Sequence, residues 1–175
     1  MHSKFLLVLI YSKYPTLYDM KMIEKILPKL VDDRYLGSKI ALYGFYPILA
    51  IYIFRSIVHF LKEDAGLRDI ASIITFPLVD NLDPNNVIYL FGSLWGASQL
   101  LLLLFYVVII TRYKSLLSFL WITVILDVLF RFISGYLHPL TFEYYSYTPP
   151  GKLSNLPILI YSLVMLNFSL KHSKK

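Results

Sequence analysis

VIYLFGSLWGASQLLLLLFYVVIIT, residues 87–111, runs through twenty-five positions without one charged side chain. About 20 predominantly apolar residues cross the hydrocarbon core of a bilayer as a helix, so this stretch predicts a transmembrane span. Three further stretches extend the pattern. Residues 40–61 (IALYGFYPILAIYIFRSIVHFL) are broken only by Arg55 and His59, residues 116–136 only by Asp127 and Arg131, and residues 155–170 form the shortest run. The expected fold is an all-α membrane protein: an antiparallel four-helix transmembrane bundle. Composition agrees, because 57% of the 175 residues are apolar and 16% charged. A soluble domain is about a quarter charged, so disorder and most soluble enzymes are excluded.

The bundle occupies residues 40–171, after an N-terminal segment (1–39) and before a basic tail (172–175). Lysine and arginine orient it. Lys4, Lys13, Lys21, Lys25, Lys29, Arg34 and Lys39 precede the first span, Arg112 and Lys114 join the second to the third, and Lys171, Lys174 and Lys175 end the chain. In a four-span course these regions share one face. The other carries only Lys62, Arg68 and Lys152 among six acidic residues. The positive-inside rule then places both termini in the cytoplasm of a multi-pass protein, with a bacterial inner membrane the expected location.

Flanking segments read as follows. Phe5–Tyr11 is too short to span and lacks a signal-peptide cleavage site. Met20 and Met22, in MKMIEKILPKL, are candidate translation starts beside Met1, and the sequence does not choose among them. From Met22 to Val31 apolar residues fall on one helical face with lysines opposite, predicting an N-terminal interfacial helix. In GLRDIASIITFPL (66–78) Leu67, Ile70, Ile73, Ile74 and Phe76 mostly share a face, predicting a second interfacial helix in the first outer loop, on the membrane surface or folded over the bundle mouth. Asp83-Pro84 supplies a cap and a first-turn proline for the second span. Tyr144, Tyr145 and Tyr147 suit the headgroup level or a lid, and Pro149-Pro150-Gly151 a turn into the fourth span.

Charged groups inside a span cost about 2.5–3.5 kcal/mol each on insertion scales, so they face the bundle and find partners. At 1.5 Å per residue, Arg55 and Arg131 lie at similar depth, about 9 Å below the outer ends of their spans, with Asp127 one turn deeper. Asp127 and Arg131, four residues apart, can pair within one helix, and His59 stands one turn above Arg55. Two readings follow. In one, Asp127 neutralises Arg131, Arg55 snorkels to the outer headgroups and His59 sits in the interface. In the other, Arg55, His59, Asp127 and Arg131 form an outward-facing pocket for a lipid or quinone-like molecule. Gly92 and Gly96 form a GxxxG pair for close helix approach. Gln99 and Asn167 can hydrogen-bond across helices, and Trp95, on the side away from the glycines, faces lipid or lines the pocket.

The chain has no cysteine, so disulfide and Cys-ligated metal chemistry are excluded. His2, His59, His138 and His172 lack metal-ligand spacing, and no nucleotide fingerprint or nucleophile elbow is present. No catalytic set, metal site or cofactor is identifiable, which points away from an enzyme, and nucleic acid is not an expected partner. The net charge of +6 serves orientation instead.

Gly92, Gly96 and Gln99, the short Arg112-Tyr113-Lys114 turn, and Asp127, Arg131 and Gly135 resemble the second half of small bacterial DoxX-like four-helix membrane proteins over about 50 residues. That resemblance implies an antiparallel four-helix bundle beside respiratory or quinone-linked partners, and transfers no activity. Two function classes remain. One is an accessory subunit packed into a larger membrane assembly, or a homo-oligomer, through the small-residue face of the second span. The other is a membrane protein that binds a lipid or quinone-like ligand.

Overall fold

Pro47 shapes the first long helix of the computed structural model, which describes residues 21–171. Proline has no amide proton for the carbonyl four residues earlier and its ring crowds that carbonyl. The helix is accordingly interrupted at Gly44, giving α2 (Lys39–Tyr43) and α3 (Phe45–Leu61). Gly44 keeps helical backbone angles, so Lys39–Leu61 still forms one rod of 23 residues. Ser38 starts it by accepting a hydrogen bond from the Ile40 amide at 3.3 Å. The remaining helices are α1 (Met22–Ile26), α4 (Asn85–Arg112), α5 (Leu117–Leu137, preceded by a 3-10 turn at Lys114–Leu116) and α6 (Pro150–Ser169). The described residues contain no extended sheet, only two isolated bridges.

Among the described residues three segments are long and apolar enough to cross a membrane: Lys39–Leu61, Asn85–Arg112 and Lys114–Leu137. Their bounds extend the runs at 40–61, 87–111 and 116–136 by one to two residues at an end. Helix α6 has 20 residues, beginning five positions before the expected 155 because Pro150 fits the first helical turn. Its opening PGKLSN is polar, and α6 is not among the three.

The helices associate as two pairs. Helix α3 packs along α4 and α5 along α6, while α2 lies on α6. Large side chains fill the space between pairs in the half nearer α2. Phe45 meets Trp121 and Tyr106 edge-on, with ring centroids 5.1 and 5.5 Å apart, and Trp121 meets Tyr161 at 5.8 Å. Edge-to-face pairs add about 0.5–1.5 kcal/mol each beyond contact area. The Tyr161 hydroxyl donates to the Gly44 carbonyl at 2.8 Å, beside the proline-loosened turn. This core stops abruptly along α5. Past Val128, every residue to Leu137 is exposed except half-buried Arg131.

Hydrogen bonds gather the connections into two ends. At one, Ser115 exchanges bonds with the backbone of Asp32 (3.0 and 2.9 Å), Ser38 donates its amide to the Phe168 carbonyl (3.3 Å), and Ser169 bonds Ser118 (3.0 Å). At the other, the loops 62–84 and 138–149 clasp each other. The Ser146 amide donates to the Ser72 carbonyl (2.8 Å), the Ile74 amide to Tyr144 (3.1 Å), and the Tyr147 hydroxyl to Asp69 (2.7 Å).

Two expected interfacial helices are corrected. The one at 22–31 ends at Ile26: Leu27, preceding Pro28, takes φ −126° and ψ 84°, as the proline ring forces its neighbour out of the helical region. The segment 66–78 is a series of turns. Ala65, Gly66 and Ser72 have φ of 51°, 66° and 58°, left-handed values that no helix can continue through. It nevertheless folds back over the α3–α4 end, where Leu67 is buried against the Gly92 position. Asp83 holds the start of α4, its carboxylate accepting from the Asn85 amide at 2.9 Å, while Pro84, expected inside the first turn, takes the cap position. Phe5–Tyr11, the starts at Met1 and Met20, and the tail 172–175 lie outside the described residues.

Asp64 holds the turn at 62–68. Its carboxylate is buried and accepts from the Gly66 amide (2.9 Å) and Arg68 Nε (3.0 Å), with Lys62 Nζ at 3.7 Å. Burial pushes its pKa up, but the bonds from Arg68 and Gly66 and the Lys62 charge outweigh that, and the net pKa is lowered. A carboxyl whose folded pKa lies below its unfolded value stabilises the fold above about pH 4, and loses that contribution as pH falls through the folded value. Amide exchange across 62–72 should therefore accelerate below about pH 4, relative to the chemical rate. Asp64→Asn should show the faster exchange already at neutral pH.

Candidate functional site

Helical spacing puts Tyr52, Arg55, Ser56 and His59 on one stripe of α3, at i, i+3, i+4 and i+7. Helix α5 contributes Asp127 and Arg131, one turn apart, and α4 contributes Trp95 and Gln99, also one turn apart. These residues meet in the clasped-loop half, directly beyond the aromatic core.

Asp127 is the hub. It pairs with Arg131 on its own helix and accepts a hydrogen bond from the hydroxyl of Tyr52, which is 1% exposed. Arg131 also reaches the Tyr52 hydroxyl at 3.4 Å. Tyr52 thus ties α3 to α5. Arg55 turns across to α4, where its Nε donates to Gln99 Oε1 at 3.0 Å. Its guanidinium lies 5.0 Å from the Tyr52 ring centroid and 5.3 Å from that of Trp95, within cation–π range of both. The Arg131 guanidinium is 5.9 Å from the same Tyr52 ring, so both cations flank one phenol.

His59 stands apart from this pairing. It is buried, with Nδ1 2.6 Å from the Ala65 carbonyl, and its ring lies tilted against Trp95 with centroids 4.6 Å apart. It joins the cluster through Trp95, on the side of the loop 62–84. Gly92 and Gly96 lie inside the chain's own packing. A side-chain carbon at Gly96 would come within 2.6 Å of the Phe60 backbone nitrogen, and one at Gly92 within 2.9 Å of Ala65 Cβ. Asn167 is exposed on α6, and His138 is exposed at the end of α5.

Tyr52 is the residue that sequence reasoning passed over. Its signal was its place on the Arg55–His59 stripe, one turn below Arg55 and among many other tyrosines. Trp95 lines the cluster although it is 42% exposed, so it serves as rim rather than floor.

The cluster is rich in donors. Arg55 Nη2, Gln99 Nε2 and Arg131 Nε are all buried without a hydrogen-bond partner. Leaving such donors unpaired costs about 1–3 kcal/mol each, more for charged groups. No nucleophile–base pair is assembled here, and among the described residues no three His, Asp or Glu side chains stand close enough to hold a metal ion. The arrangement is suited to binding an acceptor, held by guanidinium and amide N–H groups between aromatic faces. No protein-family model, curated protein or solved structure matches the chain.

Proposed function

We propose that this chain is a membrane protein that binds an amphipathic molecule, a lipid or a quinone-like compound, with its polar head at Arg55, Gln99 and Arg131. The observation that carries this reading is that one cluster, linked by the Arg55–Gln99 bond and by the Tyr52 ring beside both guanidiniums, holds three buried, unpartnered donors on three different helices. A head group with acceptor oxygens would satisfy all three at once. Exposed Trp95 and the exposed outer turns of α5 leave room for an apolar tail in the surrounding bilayer.

The reading includes a four-span course, with α6 as the fourth span and both termini cytoplasmic in a bacterial inner membrane. What supports it is the meeting of Asp32, Ser115 and Phe168 at one end of the molecule, near the lysine-rich regions, and the clasp of the other two loops at the opposite end. The second reading is an accessory subunit of a larger assembly, in keeping with the DoxX-like resemblance. The exposed apolar end of α5 favours it. The glycine face of α4 does not, because α3 and the first outer loop already fill it.

Native mass spectrometry of the protein released gently from its own membrane separates the two. A bound small mass is expected, lost in Arg131→Gln at unchanged elution volume. Additional protein subunits without a small ligand would make the chain an assembly component.

A further inference from the structure

Charge distinguishes among the ligands that the proposed site would accept. Among the described residues, the charged groups in the interior of the three long helices, away from Lys39, Arg112 and Lys114 at their ends, are two guanidiniums, Arg55 and Arg131, and one carboxylate, Asp127. Asp127 is spent on Arg131 and Tyr52. Arg55 has a neutral amide oxygen and two aromatic faces, and among the described residues no carboxylate within ion-pair distance. One positive charge therefore stands uncompensated about 9 Å, six residues, below the end of α3. An unpaired charge at that depth is costly, and the three unpartnered polar atoms around it are all N–H donors. A quinone carbonyl would satisfy some of those donors and leave the charge. A single oxyanion would satisfy the donors and neutralise Arg55, through the short charge-assisted bonds that guanidinium forms with carboxylate and phosphate.

Resting on the binding reading above, we infer that the head group held at Arg55, Gln99 and Arg131 is a singly charged oxyanion on an apolar tail, a phosphodiester or a carboxylate. The single charge matches the single uncompensated guanidinium. The tail follows from the depth of the cluster and from the apolar, exposed α5 turns beside it.

Gln99→Glu provides the sharpest test, because Gln99 Oε1 already lies 3.0 Å from Arg55 Nε. Glutamate there would supply the missing charge from within the chain. The full-length protein, stripped of lipid in a neutral detergent, would be titrated with phosphatidylglycerol, oleate, inorganic phosphate and decylubiquinone, followed by native mass spectrometry and melting temperature. One equivalent of phosphatidylglycerol or oleate should bind and raise the melting temperature, and the tighter of the two identifies the head group. Binding should weaken at least tenfold in Arg55→Gln and in Gln99→Glu, and Gln99→Glu should melt higher than the unliganded wild type. If Arg55→Gln does not fold, Gln99→Glu still decides, since it removes no native charge.

Decylubiquinone binding that persists in Gln99→Glu would overturn the charge inference and leave the binding reading standing. Inorganic phosphate binding as tightly as the amphiphiles would overturn the requirement for a tail. Gln99→Glu binding the anions as the wild type does would overturn the role of Arg55's charge. Failure of every amphiphile would remove the binding reading itself.

Discussion

Asp127→Asn should destabilise the protein by about 3 kcal/mol, the lower end of the range for breaking a buried ion pair from one side, because this pair is part-buried. The carboxylate serves Arg131 and Tyr52 together, so its loss leaves a guanidinium without counter-charge and a buried phenol with a poorer acceptor. Reversible unfolding in mixed detergent micelles measures this cost. Removing both charges tests its origin: Asp127→Leu combined with Arg131→Leu should recover most of the lost stability, because the penalty lies in the stranded charge rather than in a forfeited attraction. A cost below about 1 kcal/mol for Asp127→Asn would mean that water screens the pair as it screens surface ion pairs.

The second large effect belongs to Gly96. A Cβ at this position would stand 2.6 Å from the Phe60 nitrogen and 2.7 Å from the His59 carbonyl carbon. Both are backbone atoms in a helix and cannot swing aside. Helix α3 would have to move as a body, carrying Arg55 away from Gln99, which sits one turn further along α4. Gly96→Ala should cost about 1–3 kcal/mol, the usual range for overpacking, and Gly96→Leu should exceed it. Gly135 supplies the control, since nothing lies within 4 Å of its Cβ position. Gly135→Ala should leave stability unchanged or raise it by up to about 1 kcal/mol through helix propensity. Equal effects at the two glycines would mean that α3 and α4 do not approach as closely as the structure has them.

These two sites also mark what a sequence can disclose. The three long apolar helices were legible because an uncharged run of this length has few stable alternatives, and Asp127–Arg131 because a spacing of four places two side chains on one face. Arg55–Gln99 was not legible as a pair. Which residue of α4 faces Arg55 depends on the register between α3 and α4, and Gly96 sets that register only once the helices are in contact. Tyr52 was hidden by its company, since phenols at the ends of spans are ordinary and nothing in the chain singles out one that reaches a carboxylate on another helix. The segment 66–78 misled for a different reason. Its apolar residues do turn toward the protein, but left-handed Ser72 and the Asp64 hydrogen bonds form turns that helical periodicity cannot reveal.

The two guanidiniums differ in how far away their partners are, and that difference bears on how the chain enters the bilayer. Asp127 and Arg131 share a helix, so α5 can leave the insertion machinery already electrically neutral, needing no neighbour. Arg55 has no such partner on α3. Its first hydrogen-bonding side chain, Gln99, arrives with α4, forty-four residues later. The economical route is delivery of α3 and α4 together as a hairpin, with Gly96 letting them close before either meets lipid. On this route the first half of the chain is committed as a pair, whereas the third helix can follow alone.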